Sequence, residues 1–346
     1  MNKIAVVPGD GIGSEVIEQG CRVLHALAPD IELEYFDLGA DRYLKDGITL
    51  PAEILDRWRN EFDCIYLGAL GDPRVPSNVH AIDILLGARF KLDLFINLRP
   101  VKLLDPTRCP LKGKGTTDVD FVVFRENTEG LYTGVGGQFK RGTSEEVAIE
   151  QEINTRKGVE RIIRAAFDYA NRHGLTKVCM ADKSNAMRHG HDLWQRVFKI
   201  VGAEYPHIQS SHLYVDVLAM QMVAAPEQFE VIVTNNLFGD IVTDLGAVLQ
   251  GGIGLAASGN IHPGQTSLFE PVHGSAPDIA GQGKANPLAA ILTVGMMLNY
   301  LGRSDLEDRI AKAVELALAN DRVTPELGGQ LSTTEVGDEI LRLLGV

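Results

Sequence analysis

Residues 3–13 read KIAVVPGDGIG, a short apolar run that passes directly into a glycine-rich turn. Residues 14–27 then place apolar side chains at helical spacing, so the opening predicts a strand, a tight turn and a helix. Strands that alternate with helices predict an α/β fold with a mainly parallel sheet and helices on both faces. The same order recurs at four later apolar runs, which are residues 64–70, 121–124, 177–181 and 231–234.

Three stretches depart from this alternation. Residues 134–150 (GVGGQFKRGTSEEVAIE) are glycine-rich and then alternate, which predicts an excursion such as a hairpin arm. Residues 250–264 hold many glycines, and we expect a loop there. From Pro287 onward the sequence predicts helices. Because no low-complexity linker separates these stretches, any domain boundary must lie within continuous fold.

Composition narrows the class of protein. A chain of 346 residues suggests roughly two domains at ~150 residues each. The formal net charge of −13 argues against binding to nucleic acid or to an anionic membrane surface, because phosphates would be repelled. The four cysteines lie far apart without a CxxC pair, which is typical of a reducing compartment. The apolar run at the N-terminus is too short for a signal peptide or a membrane span, so we expect a cytoplasmic protein.

The glycine turn alone is a weak nucleotide signal. Gly9, Gly11 and Gly13 follow a strand, but the Rossmann fingerprint G-x-G-x-x-G needs its third glycine one residue later. A tight strand-to-helix turn without a nucleotide role is the alternative.

Three arginines and two aspartates suggest a site for a small anion and a metal ion. Arg89, Arg99 and Arg125 carry guanidinium forks that bind carboxylates in pairs of hydrogen bonds, which suits a di-acid; isolated surface ion pairs are the alternative. Asp240 and Asp244 lie four apart, on one face of a helix. Oxygen ligands without His or Cys suit Mg²⁺ or Mn²⁺, whereas a solvated helix face is the alternative.

Residues 269–281 (FEPVHGSAPDIAG) read as a built loop, because they combine two prolines, glycines and small residues around a His and two acids. Backbone N–H groups in such a loop could cradle a pyrophosphate, and Asp278 could accept hydrogen bonds from both hydroxyls of a ribose. Two further polar segments, residues 188–191 (RHGH) and Glu145-Glu146, are assigned no role.

Seven segments occur in an order that resembles one enzyme family: residues 8–13, 89–100, 125–130, 183–185, 236–244, 258–260 and 270–278. They look like the NAD(P)-dependent β-decarboxylating dehydrogenases, which act on isocitrate, homoisocitrate, 3-isopropylmalate or tartrate and D-malate. The resemblance runs from about residue 3 to the C-terminus. It implies an isocitrate/isopropylmalate dehydrogenase-like fold rather than a Rossmann fold.

The resemblance also implies roles for individual residues. Arg89, Arg99 and Arg125 would hold the substrate carboxylates, and Tyr132 and Lys183 would move protons. Mg²⁺ or Mn²⁺ would be bound by Asp216, Asp240 and Asp244. Since the family places the Lys183 and Asp216 positions in the partner's active site, a homodimer with shared sites is implied. The NAD contacts would come from Glu270, His273, Gly274, Ser275, Ala276, Asp278 and Asn286.

The resemblance further implies two domains with different tasks. Residues 1–94 and 247–346 would form a discontinuous cofactor-binding domain. Residues 95–246 would form the substrate, metal and dimerisation domain, with the arm at about 134–150. In the family, Asp278 followed by Ile279 is the NAD pattern, whereas NADP-dependent relatives commonly carry Lys and Tyr at these positions.

The choice of 2-hydroxy dicarboxylic acid depends on the residues before Arg89. Leu85 and Leu86 favour an apolar substituent on the substrate, as in 3-isopropylmalate, which would be converted to 2-oxoisocaproate and CO₂ in leucine biosynthesis. Isopropylmalate enzymes usually carry a Glu where this chain has Ile82, and residues 107–150 look most like tartrate/D-malate enzymes. Tartrate or D-malate is therefore the alternative substrate, followed by homoisocitrate and isocitrate. A non-catalytic regulatory homologue is an alternative of a different class, against which the intact Tyr132, Lys183 and aspartates argue.

Overall fold

The computed structural model describes residues 2–346, which divide into two compact units. The first unit comprises the chain up to Leu94, Lys102–Thr116 and Ala247–Val346, and the second comprises Phe95–Val101 and Thr117–Gly246. These boundaries differ from the sequence-based ones in residues 102–116, which belong to the first unit.

Hydrogen bonds explain where residues 102–116 belong. The Lys102 N–H donates to Oε1 of Gln250 at 3.0 Å. The Arg108 guanidinium donates to the backbone carbonyl oxygens of Leu318 and Leu327. Contacts between residues 148 to 219 positions apart leave no trace in local periodicity.

The elements alternate along most of the chain. The strands are β1 (Lys3–Val7), β2 (Glu32–Tyr35), β3 (Cys64–Leu67), β4 (Ile96–Lys102), β5 (Asp120–Glu126), β6 (Gly136–Phe139), β7 (Val147–Glu150), β8 (Lys177–Asp182), β9 (Gln209–Tyr214), β10 (Val231–Thr234), β11 (Ala257–Ile261) and β12 (Ser267–Pro271). The helices are α1 (Gly13–Leu27), α2 (Ala40–Asp46), α3 (Ala52–Glu61), α4 (Val79–Ala81), α5 (Gly87–Lys91), α6 (Arg156–Arg172), α7 (Gly190–Gly202), α8 (Val215–Ala224), α9 (Asn236–Leu249), α10 (Leu288–Tyr300), α11 (Ser304–Ala319) and α12 (Thr333–Leu344). A π-helical turn, Ile82–Leu86, joins α4 to α5.

In the first unit the strand order is β2-β1-β3-β12-β11, parallel except for the antiparallel pair β11 and β12. Strand β3 is buried on both faces. Ile65 and Leu67 join the hydrophobic core around Trp58 of α3. Tyr66 points to the opposite face, where its hydroxyl donates to the Ala290 carbonyl of α10. Helices therefore cover both faces of this part of the sheet, as the alternation predicts.

The expectation of a loop over residues 250–264 is wrong for Ala257–Ile261, which form the buried strand β11. Its polar residues pair with the neighbouring strand: the Ser258 hydroxyl donates to the Glu270 carbonyl, and the Asn260 amide donates to the Glu270 carboxylate. Gly259 lies against the Phe269 ring, where a Cβ would come within 3.0 Å of a ring carbon. Glycine and polar residues are therefore required here by neighbours distant in sequence rather than by a turn.

In the second unit the strand order is β4-β5-β10-β8-β9, and β10 and β8 pair in parallel with their neighbours. Helix α6 packs against β5 and β10, and the hydroxyl of Thr155 caps its N-terminus by accepting the Gly158 N–H. Strands β6 and β7 form a separate antiparallel hairpin whose residues are all exposed. This hairpin occupies the stretch for which the sequence predicts an arm.

The opening turn is tight because two glycines adopt positive φ angles, +79° at Gly9 and +55° at Gly11. A Cβ at Gly9 would lie 2.2 Å from the Ala69 carbonyl oxygen, and one at Gly11 would lie 2.0 Å from that of Ser275. Helix α1 then begins at Gly13, one residue before the predicted helical stretch 14–27. Across residues 2–346, no helix combines the length and the apolarity that crossing a bilayer demands.

Candidate active site

Asp240 is the centre of a side-chain cluster in the second unit. One of its carboxylate oxygens accepts a hydrogen bond from the Arg125 guanidinium and lies 3.5 Å from that of Arg99. The other oxygen accepts a hydrogen bond from the Tyr132 hydroxyl at 2.9 Å. Strands β4 and β5, the turn after Gly130 and helix α9 therefore bring together four residues that the sequence assigns to the site.

The two arginines are held by further polar contacts. The Asn236 amide oxygen accepts two hydrogen bonds from Arg125, at 3.0 and 2.8 Å, and Arg125 is buried. Arg99 donates to Oδ1 of Asn97 and to the Thr243 hydroxyl, both at 2.7 Å. Because the guanidinium groups are fixed before any ligand binds, they form a preorganised site for a carboxylate.

The tyrosine at this site is poised to keep its proton. Desolvation and the neighbouring Asp240 carboxylate raise the pKa of Tyr132. The Arg125 guanidinium lies 5.2 Å from the centre of the Tyr132 ring, an attractive cation–π distance. A neutral phenol beside a carboxylate can act as a proton donor at neutral pH.

Asp244 lies one helical turn beyond Asp240 on α9 and is exposed. Desolvation, followed by the negative charge of Asp240, raises the pKa of Asp244. Over residues 2–346, however, no three His, Cys, Asp or Glu side chains come together as a metal-ligating group. A single chain thus offers two of the three predicted metal ligands at one place.

The third predicted metal ligand is paired with the predicted catalytic lysine. The Lys183 ammonium lies 2.6 Å from Oδ1 of Asp216, and this hydrogen bond lowers the pKa of the Asp216 carboxyl. Lys183 follows β8, and Asp216 lies in the first turn of α8. The Asp216 side chain remains 61% exposed, so this pair faces the surface of the second unit.

In the first unit, Arg89 donates to the Glu270 carboxylate at 3.0 Å, and the same carboxylate oxygen accepts from Asn260 at 2.8 Å. The Arg89 side chain is only 6% exposed. The π-helical turn precedes Arg89 and carries both predicted specificity residues. Leu85 packs partly buried against the hydrophobic core of this unit, and Leu86 is half-buried.

The predicted cofactor loop follows β12 in the first unit. The Ser275 carbonyl accepts the Ile12 N–H at 2.8 Å, which attaches the loop to the glycine turn. Gly274 has open space where a Cβ would stand, and Ala276 adopts a positive φ of 37°. Asp278 is exposed.

One buried polar atom in this loop lacks a partner. Among the described residues, Nε2 of His273 has no hydrogen-bond partner, whereas its Nδ1 donates to the Gly274 carbonyl at 3.0 Å. Burial lowers the pKa of His273, so its ring is neutral near pH 7. Unpaired buried polar atoms are costly and indicate a polar ligand.

Sequence reasoning missed the residues that hold the site together. Asn236 begins a segment that the family resemblance covers, yet its bonds to Arg125 were not predicted. His191 belongs to a segment that was noticed and assigned no role, although it is buried beside Lys183. The pairing of Arg89 with Glu270, which are 181 positions apart, has no signal in a single sequence.

Known proteins resemble this chain over nearly its whole length. A family model described as Isocitrate/isopropylmalate dehydrogenase matches residues 3–340. The chain is 51% identical over 342 residues to the 3-isopropylmalate dehydrogenase of Corynebacterium jeikeium, which covers 98% of each chain. It is 48% identical over 344 residues to that of Thermobifida fusca, which covers 98% of this chain and 96% of the relative.

A solved structure of an isocitrate dehydrogenase has a similar fold. The isocitrate dehydrogenase of Methylococcus capsulatus matches with a TM-score of 0.90 and 37% identity, and the match covers 99% of both chains. The predicted isocitrate/isopropylmalate dehydrogenase-like fold is thereby confirmed, and the weak glycine signal at residues 9–13 is not a Rossmann fingerprint. Fold, sequence and site together show that the chain belongs to the isocitrate/isopropylmalate dehydrogenase family.

Proposed function

We propose that the chain catalyses the NAD- and metal-dependent oxidative decarboxylation of 3-isopropylmalate to 2-oxoisocaproate and CO₂, a step of leucine biosynthesis. The observation that carries the chemistry is the cluster in which Arg125, Arg99 and Tyr132 surround Asp240. The printed names of relatives about half identical to this chain, over nearly its full length, support the choice of substrate.

The residues present fit a divalent cation and NAD. Asp240 and Asp244 offer hard oxygen ligands on one helix, which Mg²⁺ and Mn²⁺ prefer. The unpaired Nε2 acceptor of His273 suits a hydrogen-bond donor on the polar edge of a nucleotide base. When bound, the cation stabilises negative charge on the substrate oxygen at C2, and NAD accepts the hydride from that carbon.

The chain's arginines bind and orient the two substrate carboxylates. Arg125 and Arg99 present preorganised guanidinium groups in the second unit, and Arg89 presents one in the first. Fixing both carboxylates orients C2 and C3 and lowers the entropic part of the barrier.

Proton transfer falls to two residues. Lys183 would first release a proton, which a nearby bound cation favours, and its neutral amine would then accept the proton of the C2 hydroxyl as hydride leaves. After the β-carboxylate has departed as CO₂, Tyr132 donates a proton to C3. The position of the Tyr132 hydroxyl at the centre of the cluster supports this role, and a phenol carries a proton to donate at neutral pH.

The active sites are shared within a homodimer in this proposal. The absence of a three-carboxylate cluster among residues 2–346 and the surface position of the Lys183–Asp216 pair support it, because a second copy could then supply Asp216. Exposed apolar side chains support a second copy too, on the arm at Phe139 and on α8 at Met220. A cytoplasmic location is part of the proposal, and four cysteines free of disulfides are consistent with it.

A steady-state screen tests the assignment. The protein is assayed with NAD and Mg²⁺ or Mn²⁺ on 3-isopropylmalate, D-malate, tartrate, isocitrate and homoisocitrate. We expect the highest kcat/KM on 3-isopropylmalate. A higher value on D-malate or tartrate would replace the substrate, and no turnover of any of the five would favour a regulatory homologue.

A further inference from the structure

The loop that carries Lys183 is fastened through its backbone. The Lys183 carbonyl accepts the N–H groups of Ala186 and Met187 at 2.9 and 2.8 Å. The Lys183 N–H donates to Nδ1 of His191 at 2.7 Å. His191, at the start of α7, is completely buried. The lysine backbone is thus held by a side chain eight residues later, on the opposite end of its own loop.

The hydrogen bonds define the state of this histidine. A backbone amide can only donate, so Nδ1 of His191 accepts and its proton sits on Nε2. Nε2 lies 3.3 Å from the Glu152 carboxylate, which accepts that proton's hydrogen bond. Although burial acts to raise it, hydrogen bonds from His191 and Asn235 hold the pKa of Glu152 below its ordinary value. The imidazole is thus a neutral link between an anion and the lysine backbone.

The same carboxylate is anchored to the helix of the metal-binding aspartates. The Asn235 amide donates to Oε1 of Glu152 at 2.6 Å. The Asn235 side-chain oxygen accepts the Phe238 N–H at 2.9 Å, in the first turn of α9. Helix α9 carries Asp240 and Asp244. Glu152 therefore joins the start of α9 to the Lys183 loop through one buried contact on each side.

We propose that His191, oriented by Glu152, is a positioning residue that fixes where Lys183 presents its amine. This inference rests on the proposed function in one respect, the role of Lys183 in proton transfer. A displacement of a proton-transferring group by about 1 Å can cost up to ~10²-fold in rate without weakening substrate binding. His191 therefore acts on kcat rather than on KM.

Two substitutions separate the acceptor from the rest of the side chain. In His191→Asn, the amide oxygen stands where Nδ1 stood and still accepts the Lys183 N–H. In His191→Gln, the amide reaches toward Glu152 instead, and no acceptor remains at the Nδ1 position. Val197→Ala is the matched control, because Val197 lies on the same helix and is buried, and its apolar side chain makes no hydrogen bond to Glu152 or to the Lys183 loop.

We expect His191→Gln to lower kcat about 10-fold with less than about a threefold change in KM, and His191→Asn to restore most of that loss. Val197→Ala should lower the melting temperature at nearly unchanged kcat. Full kcat in His191→Gln, or equal kcat losses in the Asn and Gln variants, would overturn the proposal.

Hydrogen–deuterium exchange at the Lys183 amide gives a readout independent of turnover. We expect slow exchange in the wild type, His191→Asn and Val197→Ala, and faster exchange in His191→Gln. Fast exchange in the wild type would overturn the proposal without any variant, should His191→Gln fail to fold. Full activity in Lys183→Met would instead contradict the proposed role of Lys183, while leaving the exchange result to decide whether His191 holds its backbone.

Discussion

The two units hold their functional groups in opposite ways. In the second unit the functional side chains already bond one another: Arg125 donates to one oxygen of the Asp240 carboxylate and Tyr132 donates to the other. In the first unit the cofactor loop is shaped by backbone and glycine, and the buried Nε2 acceptor of His273 has no partner among residues 2–346. The Asp240 cluster is organised before a ligand binds, whereas in the proposed function a bound nucleotide completes the cofactor loop.

This difference predicts different consequences for substitutions. A change in the Asp240 cluster removes a group that acts during the reaction, so it should lower kcat. A change in the cofactor loop removes a contact to a bound nucleotide, so it should alter affinity and selectivity. Substitutions in the two regions therefore test whether the Asp240 cluster governs turnover and the cofactor loop governs nucleotide binding.

The largest effect is expected for Asp240→Asn. The variant loses the negative charge that pairs with Arg125 and that would bind the cation. Because a bound cation stabilises the transition state by several kcal/mol, kcat should fall by about 10³-fold or more. The measurement is kcat with Mg²⁺ and with Mn²⁺, alongside circular dichroism to check the fold. Undiminished turnover in the variant, or full wild-type activity in excess chelator, would contradict the metal assignment.

Tyr132→Phe and Lys183→Met should each lower kcat by about 10²-fold or more, because each removes a group that transfers a proton. Tyr132→Phe also takes a hydrogen bond from Asp240 without changing the ring. KM for the substrate should change little in both variants. A rise in KM at constant kcat would show that these residues bind substrate rather than move protons.

Cofactor selectivity tests the first unit. We expect the wild type to prefer NAD over NADP by at least ~10²-fold in kcat/KM, or about 2.7 kcal/mol, because Asp278 repels a 2′-phosphate. The variant that combines Asp278→Lys with Ile279→Tyr should narrow or invert this preference. The exposed position of Asp278 leaves it accessible to a nucleotide. A wild type that favours NADP would overturn the role given to Asp278.

The smallest effect is expected at the two leucines. If Leu86 reads the isopropyl group, Leu86→Ala should reduce kcat/KM for 3-isopropylmalate about 10-fold more than for D-malate. Leu85 packs against the core of the first unit, so Leu85→Ala should in addition lower the melting temperature. Equal losses on both substrates would shift the substrate assignment toward D-malate or tartrate.

Much of the fold could be predicted because its signals are local. Apolar runs at residues 3–7 and 231–234 became strands β1 and β10, and the four-residue spacing of Asp240 and Asp244 places them one turn apart on α9. The failure at Ala257–Ile261 has a physical cause. Its glycine packs against Phe269 and its polar side chains bond Glu270 on the neighbouring strand, and a single sequence does not reveal that pairing.

The site was predictable as a set of residues but not as a geometry. Motif resemblance singled out Arg125, Tyr132 and Asp240, yet it did not reveal that they share one carboxylate. It also did not reveal that Asn236 orients Arg125, because amide side chains carry no charge pattern along the chain. Long-range hydrogen bonds of this kind are set by tertiary structure alone.

Subunit mixing tests whether Lys183 and Asp216 of one copy complete the Asp240 cluster of another copy, as the proposed shared active site requires. Inactive Lys183→Met dimers are mixed with inactive Arg125→Ala dimers, and subunit exchange is followed by mass spectrometry of tagged chains. After random exchange, half of the dimers contain one chain of each variant, and each of these mixed dimers has one intact site. If the sites are shared, about a quarter of the wild-type activity should therefore be recovered. No recovery despite demonstrated exchange would show that each active site is built from one chain.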